Sequence, residues 1–258
     1  RSMATVNGAM GRMFTSRGSY GESLECLERA VALAETSGNS NEAMVSSYNL
    51  GVVHYLQGQR EKGLRAFEKT LEIARKRGDI RNIMLSIGSI GTVHADRGDH
   101  DAALRFQEEK LRMARELNDK MSILYALGNI GMSQTHMGLH EEALESYLEY
   151  RDLALDMNAV SELCMVMGLM GSTYARIWDY ESAEECYTRE LEIAREIDEA
   201  VNTINALRNM GWVQREKGEW AGSRESLERA LELAEEMDSS VEVSICCTSL
   251  CDLEMMKG

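Results

Sequence analysis

The hydrophobic positions of the chain follow the period of an α-helix. The segments "ALRFQEEKLRMAREL" (103–117) and "SLERALELAEEM" (226–237) place apolar residues three and four positions apart. This spacing lines one face of a helix, and the Glu and Arg residues between them fall on the opposite, solvated face. The pattern predicts amphipathic helices that each bury one face, with almost no strand.

A second pattern recurs every forty residues. It consists of a glycine in the middle of a helical segment, a glycine seven residues later, and an alanine in the following helix. The three series are Gly11, Gly51, Gly91, Gly131, Gly171, Gly211; Gly18, Gly58, Gly98, Gly138, Gly218; and Ala34, Ala74, Ala114, Ala154, Ala194, Ala234. Only Trp178 interrupts the second series. A fixed period of this length is typical of a solenoid.

Each repeat is predicted to contain two helices, helix A and helix B, joined by a short turn. In the second repeat, helix A covers 41–57 and helix B covers 60–76. The predicted fold class is all-α, with six helix-turn-helix repeats and a terminal helix in a single domain, 1–258. The predicted repeats are 1–38, 39–78, 79–118, 119–158, 159–198 and 199–238, followed by the terminal helix, 239–258.

The glycine in the middle of helix A needs an explanation, because glycine in a helix interior is about 1 kcal/mol less favourable than alanine. Small residues also recur on helix B. They are Gly63, Ala103, Ala143, Ala183, Ser23 and Ser223. We expect the glycine of helix A to meet this small residue, so that the two backbones approach closely.

Composition and charge narrow the range of partners. The formal net charge of −15 argues against non-specific nucleic-acid binding and against a polybasic membrane contact. No apolar run is long enough to span a membrane. The six cysteines form no CxxC pair, so we expect buried free thiols and a cytoplasmic location. The start, "RSMATVNGAM", falls inside the first repeat, so we expect a piece of a longer protein.

The repeated residues resemble the tetratricopeptide repeat. The likeness rests on Leu50-Gly51, Gly58, alanine at 103, 143 and 183, and an aromatic residue at 67, 147 and 187. The forty-residue variant resembles the repeats of Pins/LGN polarity adaptors, kinesin light chains and MalT-type regulators. HEAT repeats are the alternative, but they lack this order of Leu-Gly, Gly and Ala. The resemblance implies a right-handed α-solenoid whose A helices line a concave surface that binds peptides or helices.

One stripe of helix A is expected to face this surface, by the family pattern. Tyr48, Val52 and Tyr55 define it in the second repeat, while Ser46, Leu50 and Val53 are assigned to the core. Across all six repeats the stripe reads Gly8, Arg12, Thr15; Tyr48, Val52, Tyr55; Gly88, Thr92, Ala95; Gly128, Met132, Thr135; Gly168, Ser172, Ala175; and Arg208, Trp212, Arg215. The middle repeats therefore carry small residues, and the flanking repeats carry large ones.

We interpret the stripe as a groove with a low central floor, where a partner's backbone can lie close. Tyr48 and Tyr55 would form one wall, and Arg208, Trp212 and Arg215 the other. Tyr, Trp and Arg are the usual energetic anchors of interfaces. The alternative is that the small residues only allow neighbouring A helices to pack.

Arg176 and His136 lie near the same predicted surface. With Arg208 and Arg215, Arg176 makes this end of the groove more basic than the acidic chain as a whole. A partner that carries Asp or Glu would fit such a surface. The alternative is that the arginines pair with local glutamates such as Glu216.

Three asparagines share one repeat position: Asn49, Asn129 and Asn209. In Pins/LGN-type repeats, an asparagine at this position and another three residues later hold the backbone of a bound extended peptide. The second asparagine is replaced here, by Val52, Met132 and Trp212. Trp178, which replaces a turn glycine, is interpreted either as an exposed contact or as a residue that packs between repeats.

The sequence carries no pattern typical of an active site. "HEEAL" (140–144) lacks the second histidine of a zinc motif, and "GQREKGLR" (58–65) lacks the Lys-Ser/Thr of a phosphate-binding loop. No nucleophile motif is present. We therefore expect no enzyme activity, no metal and no cofactor.

Three functions remain open. The first is a protein-interaction scaffold that binds a peptide or helical segment of a partner in its groove. The second is a sensory or regulatory module of a larger signalling protein, MalT-like, that binds a small ligand or peptide. The third is a purely structural spacer or self-association module. The terminal helix, with Val243, Ile245, Leu250 and Leu253, either caps the solenoid or docks a further helix, and a homodimer would form through it if it exposes an apolar face.

Overall fold

The computed structural model describes residues 2–257, which form thirteen helices and no strand. The helices are α1 (Met3–Ser16), α2 (Tyr20–Thr36), α3 (Ser40–Leu56), α4 (Arg60–Arg77), α5 (Ile80–Asp96), α6 (His100–Glu116), α7 (Lys120–Met137), α8 (His140–Asp156), α9 (Val160–Arg176), α10 (Tyr180–Glu196), α11 (Ala200–Glu216), α12 (Trp220–Glu236) and α13 (Ser240–Lys257). The predicted all-α fold of helical hairpins is confirmed. Residues 1 and 258 of the predicted span lie outside the described residues, and the hand of the solenoid stays a prediction.

The helices fall into two compact units, Arg1–Ser133 and Gln134–Gly258, and the division lies within α7. Consecutive helices pack on each other from α1 to α6 in the first unit and from α8 to α13 in the second. Odd-numbered helices also contact one another, α1 with α3 in the first unit, and α9 with α11 and α11 with α13 in the second. The single domain and its six repeat boundaries stay a prediction.

Every turn between helices carries one residue in the left-handed backbone conformation, and these residues lie twenty positions apart. Seven are glycines: Gly18, Gly38, Gly58, Gly78, Gly98, Gly138 and Gly218; the others are Asn118, Asn158, Trp178, Asp198 and Asp238. In the turn between α3 and α4, the Gly58 amide donates to the Tyr55 carbonyl (2.9 Å) and the Gln59 amide donates to the His54 carbonyl (2.8 Å). This pair of bonds satisfies carbonyls that the helix end leaves open, so the helix stops without a proline.

The residue after the left-handed position often starts the next helix with a side-chain cap. Asp79, Asp99, Asp119 and Asp179 each accept a hydrogen bond from the backbone amide three residues later, at 3.1–3.2 Å. Such a cap satisfies an amide that has no partner in the helix and stabilises it by about 1 kcal/mol. One short turn sequence thus ends one helix and begins the next.

The mid-helix glycines of the A helices make room for a large side chain of the paired B helix. A β-carbon at Gly51 would lie 2.7 Å from the ring of Phe67, and one at Gly171 would lie 2.7 Å from the ring of Tyr187. The small residue on helix B is also close, because a β-carbon at Gly63 would lie 3.1 Å from the Gly51 carbonyl oxygen. The expected close approach is observed, but the ring is the group that the glycine accommodates first.

The terminal helix α13 is buried on one side only. Leu253 is 1% exposed, whereas Val241 is 65% and Met255 is 74% exposed. All six cysteines are free, and three of them are buried: Cys164, Cys186 and Cys246. The expectation of buried thiols is wrong for Cys247 and Cys251, because both lie on the exposed side of α13.

Gly51→Ala is expected to destabilise the first unit even though alanine is the better helix former. Propensity favours alanine by about 1 kcal/mol, but the added methyl group would press into Phe67, and overpacking costs about 1–3 kcal/mol. We expect a net loss of about 1–2 kcal/mol in the free energy of unfolding, measured by urea denaturation followed by circular dichroism.

Gly21→Ala is the matched control for this substitution. Gly21 lies in α2, and no atom comes within 4 Å of the place of its β-carbon. Alanine is therefore expected to be neutral there or to stabilise by up to about 1 kcal/mol. Equal destabilisation by the two substitutions would contradict the steric explanation.

Candidate functional site

Four predicted residues of α11 surround one cleft in the second unit, with a volume of about 240 Å³. Its lining consists of Arg208, Asn209, Gly211, Trp212 and Arg215 of α11, Ser223 and Leu227 of α12, and Ser249 and Asp252 of α13. Positions 208, 212 and 215 share one helix face, so α11 presents all three side chains in the same direction. We call this space the α11 cleft. Ser249 and Asp252 were not predicted, because nothing in their repeat position distinguishes them in the sequence.

The arginines of the α11 cleft have carboxylates close by. Arg215 donates to Glu216 Oε1 from Nη2 (2.8 Å) and Nε (3.2 Å). Arg208 Nη1 lies 3.8 Å from Glu242 Oε2, too far for a hydrogen bond. Asp252 adds a further carboxylate. Pairing with local glutamates, the alternative to an acidic partner, is thus present in the structure, tightly at Arg215 and loosely at Arg208.

Three aromatic rings form a row beside the α11 cleft. The Tyr180 ring lies edge-on to Trp212, with centroids 6.0 Å apart, and to Trp178, with centroids 6.2 Å apart. Trp212 is 39% and Trp178 is 74% exposed. Trp178 therefore does not pack between repeats, and the exposed alternative is observed. We call Trp178, Tyr180 and Trp212 the aromatic row. Tyr180 was missed, although it lies two residues after the irregular Trp178.

In the first unit, Tyr48 and Tyr55 join α3 to α5. The Tyr48 hydroxyl lies 3.1 Å from Ser89 Oγ, and the Tyr55 hydroxyl donates to Asp96 Oδ2 at 2.6 Å. Burial and then this hydrogen bond raise the pKa of Tyr55 to about 12. Tyr55 and Thr92 line a small cavity of about 120 Å³. These tyrosines are half-buried and hold two A helices together, so the wall that they present is shallow.

The other predicted residues do not line either space. Asn49 Nδ2 donates to the Val45 carbonyl within its own helix, at 2.7 Å. Asn129 is half-buried on α7, and the exposed residues are Arg12 on α1, Met132 and His136 on α7, and Arg176 on α9. None of these residues lines the α11 cleft or the cavity beside Tyr55. Their role in a groove stays a prediction.

The expected low floor is filled at two of its glycines by charged side chains from B helices. In the first unit, a β-carbon at Gly88 would lie 3.0 Å from Lys110 Cδ, and Lys110 Nζ lies 5.8 Å from the centre of the Tyr125 ring. In the second unit, a β-carbon at Gly168 would lie 2.6 Å from Glu190 Oε1. The prediction of an open floor is therefore wrong at Gly88 and Gly168.

Burial shifts the pKa of both residues in the direction that favours the neutral form of the side chain. Desolvation lowers the pKa of Lys110 and raises the pKa of Glu190 to about 8. The two residues occupy the same repeat position, and where the stripe carries Tyr48 or Arg208 this position carries Thr70 or Ala230. A large stripe residue thus goes with a small residue on helix B at Tyr48 and Arg208, whereas Gly88 and Gly168 go with a long charged one, Gly128 goes with Tyr150 and Gly8 with Ala30.

Within residues 2–257, no group of three or more His, Cys, Asp or Glu side chains is placed to hold a metal ion. None of the helices in this range combines the length and the apolar character needed to cross a bilayer. Each unit thus holds a candidate site of its own: the surface around Tyr48 and Tyr55 in the first unit, and the α11 cleft with the aromatic row in the second.

The fold consists of repeated helical hairpins with a glycine inside helix A, and the candidate site residues lie along the A helices. These features define a protein built of helical repeats. The family model described as "Tetratricopeptide repeat" matches residues 2–76, 81–156 and 162–236. These segments make up most of the chain, which therefore belongs to the tetratricopeptide repeat family. A comparison with curated protein sequences gives no match.

Solved structures with the same fold include three proteins of low sequence identity. BtubC (BKLC) from P. vanneervenii is 18% identical, with a TM-score of 0.72 over 86% of this chain and 91% of that chain. The apo quorum sensor NprR from B. thuringiensis is 18% identical, with a TM-score of 0.74 over 95% and 68%. A STAND protein with a tetratricopeptide repeat sensor from Pyrococcus horikoshii is 16% identical, with a TM-score of 0.78 over 95% and 38%.

NprR is also similar to this chain in its complex with its cognate peptide NprX. That structure is 19% identical and has a TM-score of 0.67 over 95% of this chain and 71% of that chain. At such identities, the likeness of all these structures establishes the fold alone.

Trp178→Gly is expected to stabilise the second unit by about 0.5–1 kcal/mol. Trp178 has a φ of +65°, which glycine adopts without the clash that a β-carbon causes. The midpoint of thermal or urea unfolding should rise. Asn158→Gly is the control, because asparagine tolerates the left-handed conformation and should gain less. A loss of stability in Trp178→Gly would show that the aromatic row contributes more than the backbone conformation costs.

Glu190→Gln is expected to change how stability depends on pH. The pKa of Glu190 rises from the ordinary 4.5 to about 8 in the folded protein because the carboxyl is desolvated. The folded state then binds more protons than the unfolded state between these values. The contribution of Glu190 to stability is therefore most favourable below pH 4.5 and is lost as the pH rises to about 8.

The variant lacks this titration, so the stability difference between the two proteins should change by up to about 4 kcal/mol across that range. Urea denaturation from pH 5 to 9 measures it. Glu145→Gln, at an exposed position of α8, is the control and should show no such change. If the stability difference between the wild type and Glu190→Gln does not change with pH, the carboxyl of Glu190 is not buried and unpaired as described.

Proposed function

We propose that the chain is a protein-interaction scaffold that binds a peptide or helical segment of a partner, and that the α11 cleft is the centre of its binding surface. The observation that carries the proposal is the convergence of Trp212, Arg208 and Arg215 on one cleft of about 240 Å³. Trp and Arg in a concave, partly desolvated place are the residue types that dominate binding energies.

The aromatic row supports the same proposal. Trp178 keeps a bulky side chain in a conformation that costs about 1 kcal/mol, while most equivalent turns carry glycine, asparagine or aspartate. The residue is 74% exposed, so it does little for the core. An exposed tryptophan held at such a position is well suited to contact an apolar side chain of a partner that extends from the α11 cleft.

The charges of the cleft favour a partner segment with a carboxylate. Arg208 is 25% exposed in its side chain and has no hydrogen bond to Glu242, so its guanidinium can take a partner's Asp or Glu in a charge-assisted pair. Arg215 would have to share its donors with Glu216. The net charge of −15 disfavours nucleic acid and anionic membranes as partners.

The structural neighbours support a peptide as the partner, since NprR has a structure with its cognate peptide NprX. Six free cysteines fit a reducing, cytoplasmic location. We propose a binding role and no catalytic one. The surface around Tyr48 and Tyr55 is proposed as a second contact region, with Asn129, Met132, His136, Arg12 and Arg176 as peripheral candidates.

A sensory module is the second candidate function. NprR is described as a quorum sensor, and the STAND neighbour contains a tetratricopeptide repeat sensor. A sensor would bind its peptide or small ligand and pass a change to an output domain. Self-association through α13 is the third. Of the residues expected to form that interface, Leu253 is buried and Val243 packs against the core, so the exposed side would use Ile245 with Val241 and Met255.

The test uses peptides selected against the wild-type chain from a phage-displayed random-peptide library. The double substitution Trp212→Ala with Arg208→Ala is expected to lower the affinity of these peptides by about tenfold or more. Fluorescence anisotropy with labelled peptides measures the affinity, and circular dichroism checks that helicity is unchanged.

The matched control carries Leu155→Ala with Arg229→Ala, at exposed positions outside the cleft. It should bind the peptides as the wild type does. If the library yields no peptide, or if both double variants bind alike, the α11 cleft is not the binding site. Peptides enriched in Asp or Glu would support the acidic partner, and a bias towards basic peptides would contradict it.

A further inference from the structure

Glu190 of α10 is a buried carboxyl without a partner in the second unit. The residue is 6% exposed, and its Oε2 atom has no hydrogen-bond partner among the described residues. A carboxyl of this kind is costly to bury, because no protein donor compensates Oε2 for the hydration that it loses. A glutamate at this position therefore needs a compensating interaction that the folded chain alone does not supply.

The fold itself does not require a glutamate at this place. The equivalent residue is Ala30 in the first repeat, Thr70 in the second and Ala230 in the sixth, and all three are fully buried. In the third and fourth repeats, which carry a stripe glycine as the fifth does, the equivalent residues are Lys110 and Tyr150. A long side chain at this position therefore fits the gap at Gly168, but Tyr150 shows that it need not carry a carboxyl.

The carboxyl fills the gap that Gly168 leaves on α9, at a position of the binding stripe. A β-carbon at Gly168 would lie 2.6 Å from Glu190 Oε1 and 2.9 Å from Oε2, so any other residue at 168 would cover or displace the carboxyl. Gly168 and the next stripe residue, Ser172, are half-buried rather than sealed. The carboxyl therefore lies against the backbone of α9 at a stripe position, where both Gly168 and Ser172 keep part of their surface exposed.

The titratable groups that interact with Glu190 are two thiols and a phenol, and the charged residues that act on these groups include Arg151, Arg176 and Glu199. From α9, Cys164 Sγ donates to the Glu190 carbonyl at 3.6 Å, and on α10 its neighbours are Cys186 and Tyr187. Burial raises the pKa of both thiols to about 11 and that of Tyr187 to about 12. Glu199 influences Cys164 and is itself acidic. No cation among the described residues forms an ion pair with Glu190, so the site lacks a counter-charge.

We propose that the Glu190 carboxyl, reached across Gly168, is a subsite for an ammonium or guanidinium group, supplied by a lysine or arginine side chain of the bound partner segment. This subsite rests on the proposed function for the source of its ligand, and it complements the carboxylate subsite at Arg208. A cation at this place supplies the missing hydrogen bonds and the missing charge together.

Binding by this route releases a proton. The carboxyl is largely protonated near neutral pH, and an opposite charge within hydrogen-bond distance favours its ionised form. The O–H proton of Glu190 passes to the solvent as the ammonium or guanidinium group takes its place, so the total charge is balanced. Affinity for the cation should therefore increase as the pH rises from 6 towards 8.

The experiment uses small probes and the whole chain. N-acetyl-lysine N-methylamide is the cationic probe, and N-acetyl-norleucine N-methylamide is its uncharged counterpart of nearly the same shape. The ¹³C chemical shift of the Glu190 carboxyl, assigned by its loss in Glu190→Gln, is recorded during titrations at several pH values. We expect a saturable shift and a fall in the apparent pKa of Glu190 with the lysine probe, and no such change with the norleucine probe.

Two variants test the geometry. Gly168→Ala places a methyl group against the carboxyl and should abolish the response to the lysine probe. Should this variant lose its helical circular dichroism signal, calorimetry of Glu190→Gln, which keeps the side-chain volume, decides instead and should show no heat of lysine-probe binding. Equal responses to both probes, no response of the wild type, or binding that survives in Glu190→Gln would each overturn the proposal.

The outcome is separable from that of the proposed function. Trp212→Ala with Arg208→Ala should leave the response of Glu190 to the lysine probe unchanged, because neither residue is among the groups found beside the carboxyl. A failed peptide selection with an intact lysine response would reject the α11 cleft alone. The reverse result would reject the Glu190 subsite alone.

Discussion

The close approach of each A helix to its B helix at the mid-helix glycine is the contact on which the other features depend. The gap at Gly51 admits the ring of Phe67, and the same ring supports Tyr48 at a centroid distance of 5.4 Å. In the second unit, the ring that fills the gap at Gly171 belongs to Tyr187, whose hydroxyl lies 3.2 Å from Ser172 Oγ. One missing side chain in the core thus positions residues on the surface of the A helices.

The sequence was sufficient for the fold because its determinants are local and repeated. The left-handed turn residues and the aspartate caps act within one turn, and the mid-helix glycines act within one hairpin, so the repeated copies of the pattern reinforce one interpretation. The sequence was also sufficient to group the α11 residues, since Arg208, Trp212 and Arg215 lie on one face of one helix. Their helix and their spacing needed no tertiary information.

The side chains that fill the gaps at the stripe glycines could not be predicted from the sequence of one helix alone. Lys110 and Glu190 reach Gly88 and Gly168 from a helix that begins many residues later, and the relation becomes visible only when two repeat positions are compared across repeats. The pairing of Arg208 with Glu242 likewise joins α11 to α13. Such contacts depend on how helices stack, which periodicity alone does not specify.

The spacing of the left-handed residues has a consequence for how this chain can change in length. The turn geometry recurs every twenty residues, but the packing pattern of the core recurs only every forty. The reason is that A helices provide the glycine gap, whereas B helices provide the side chain that enters it. Deletion or duplication of one helix would preserve every turn and still set two like faces against each other. Such a protein is expected to grow or shrink by whole hairpins, with insertions of other lengths confined to the turns.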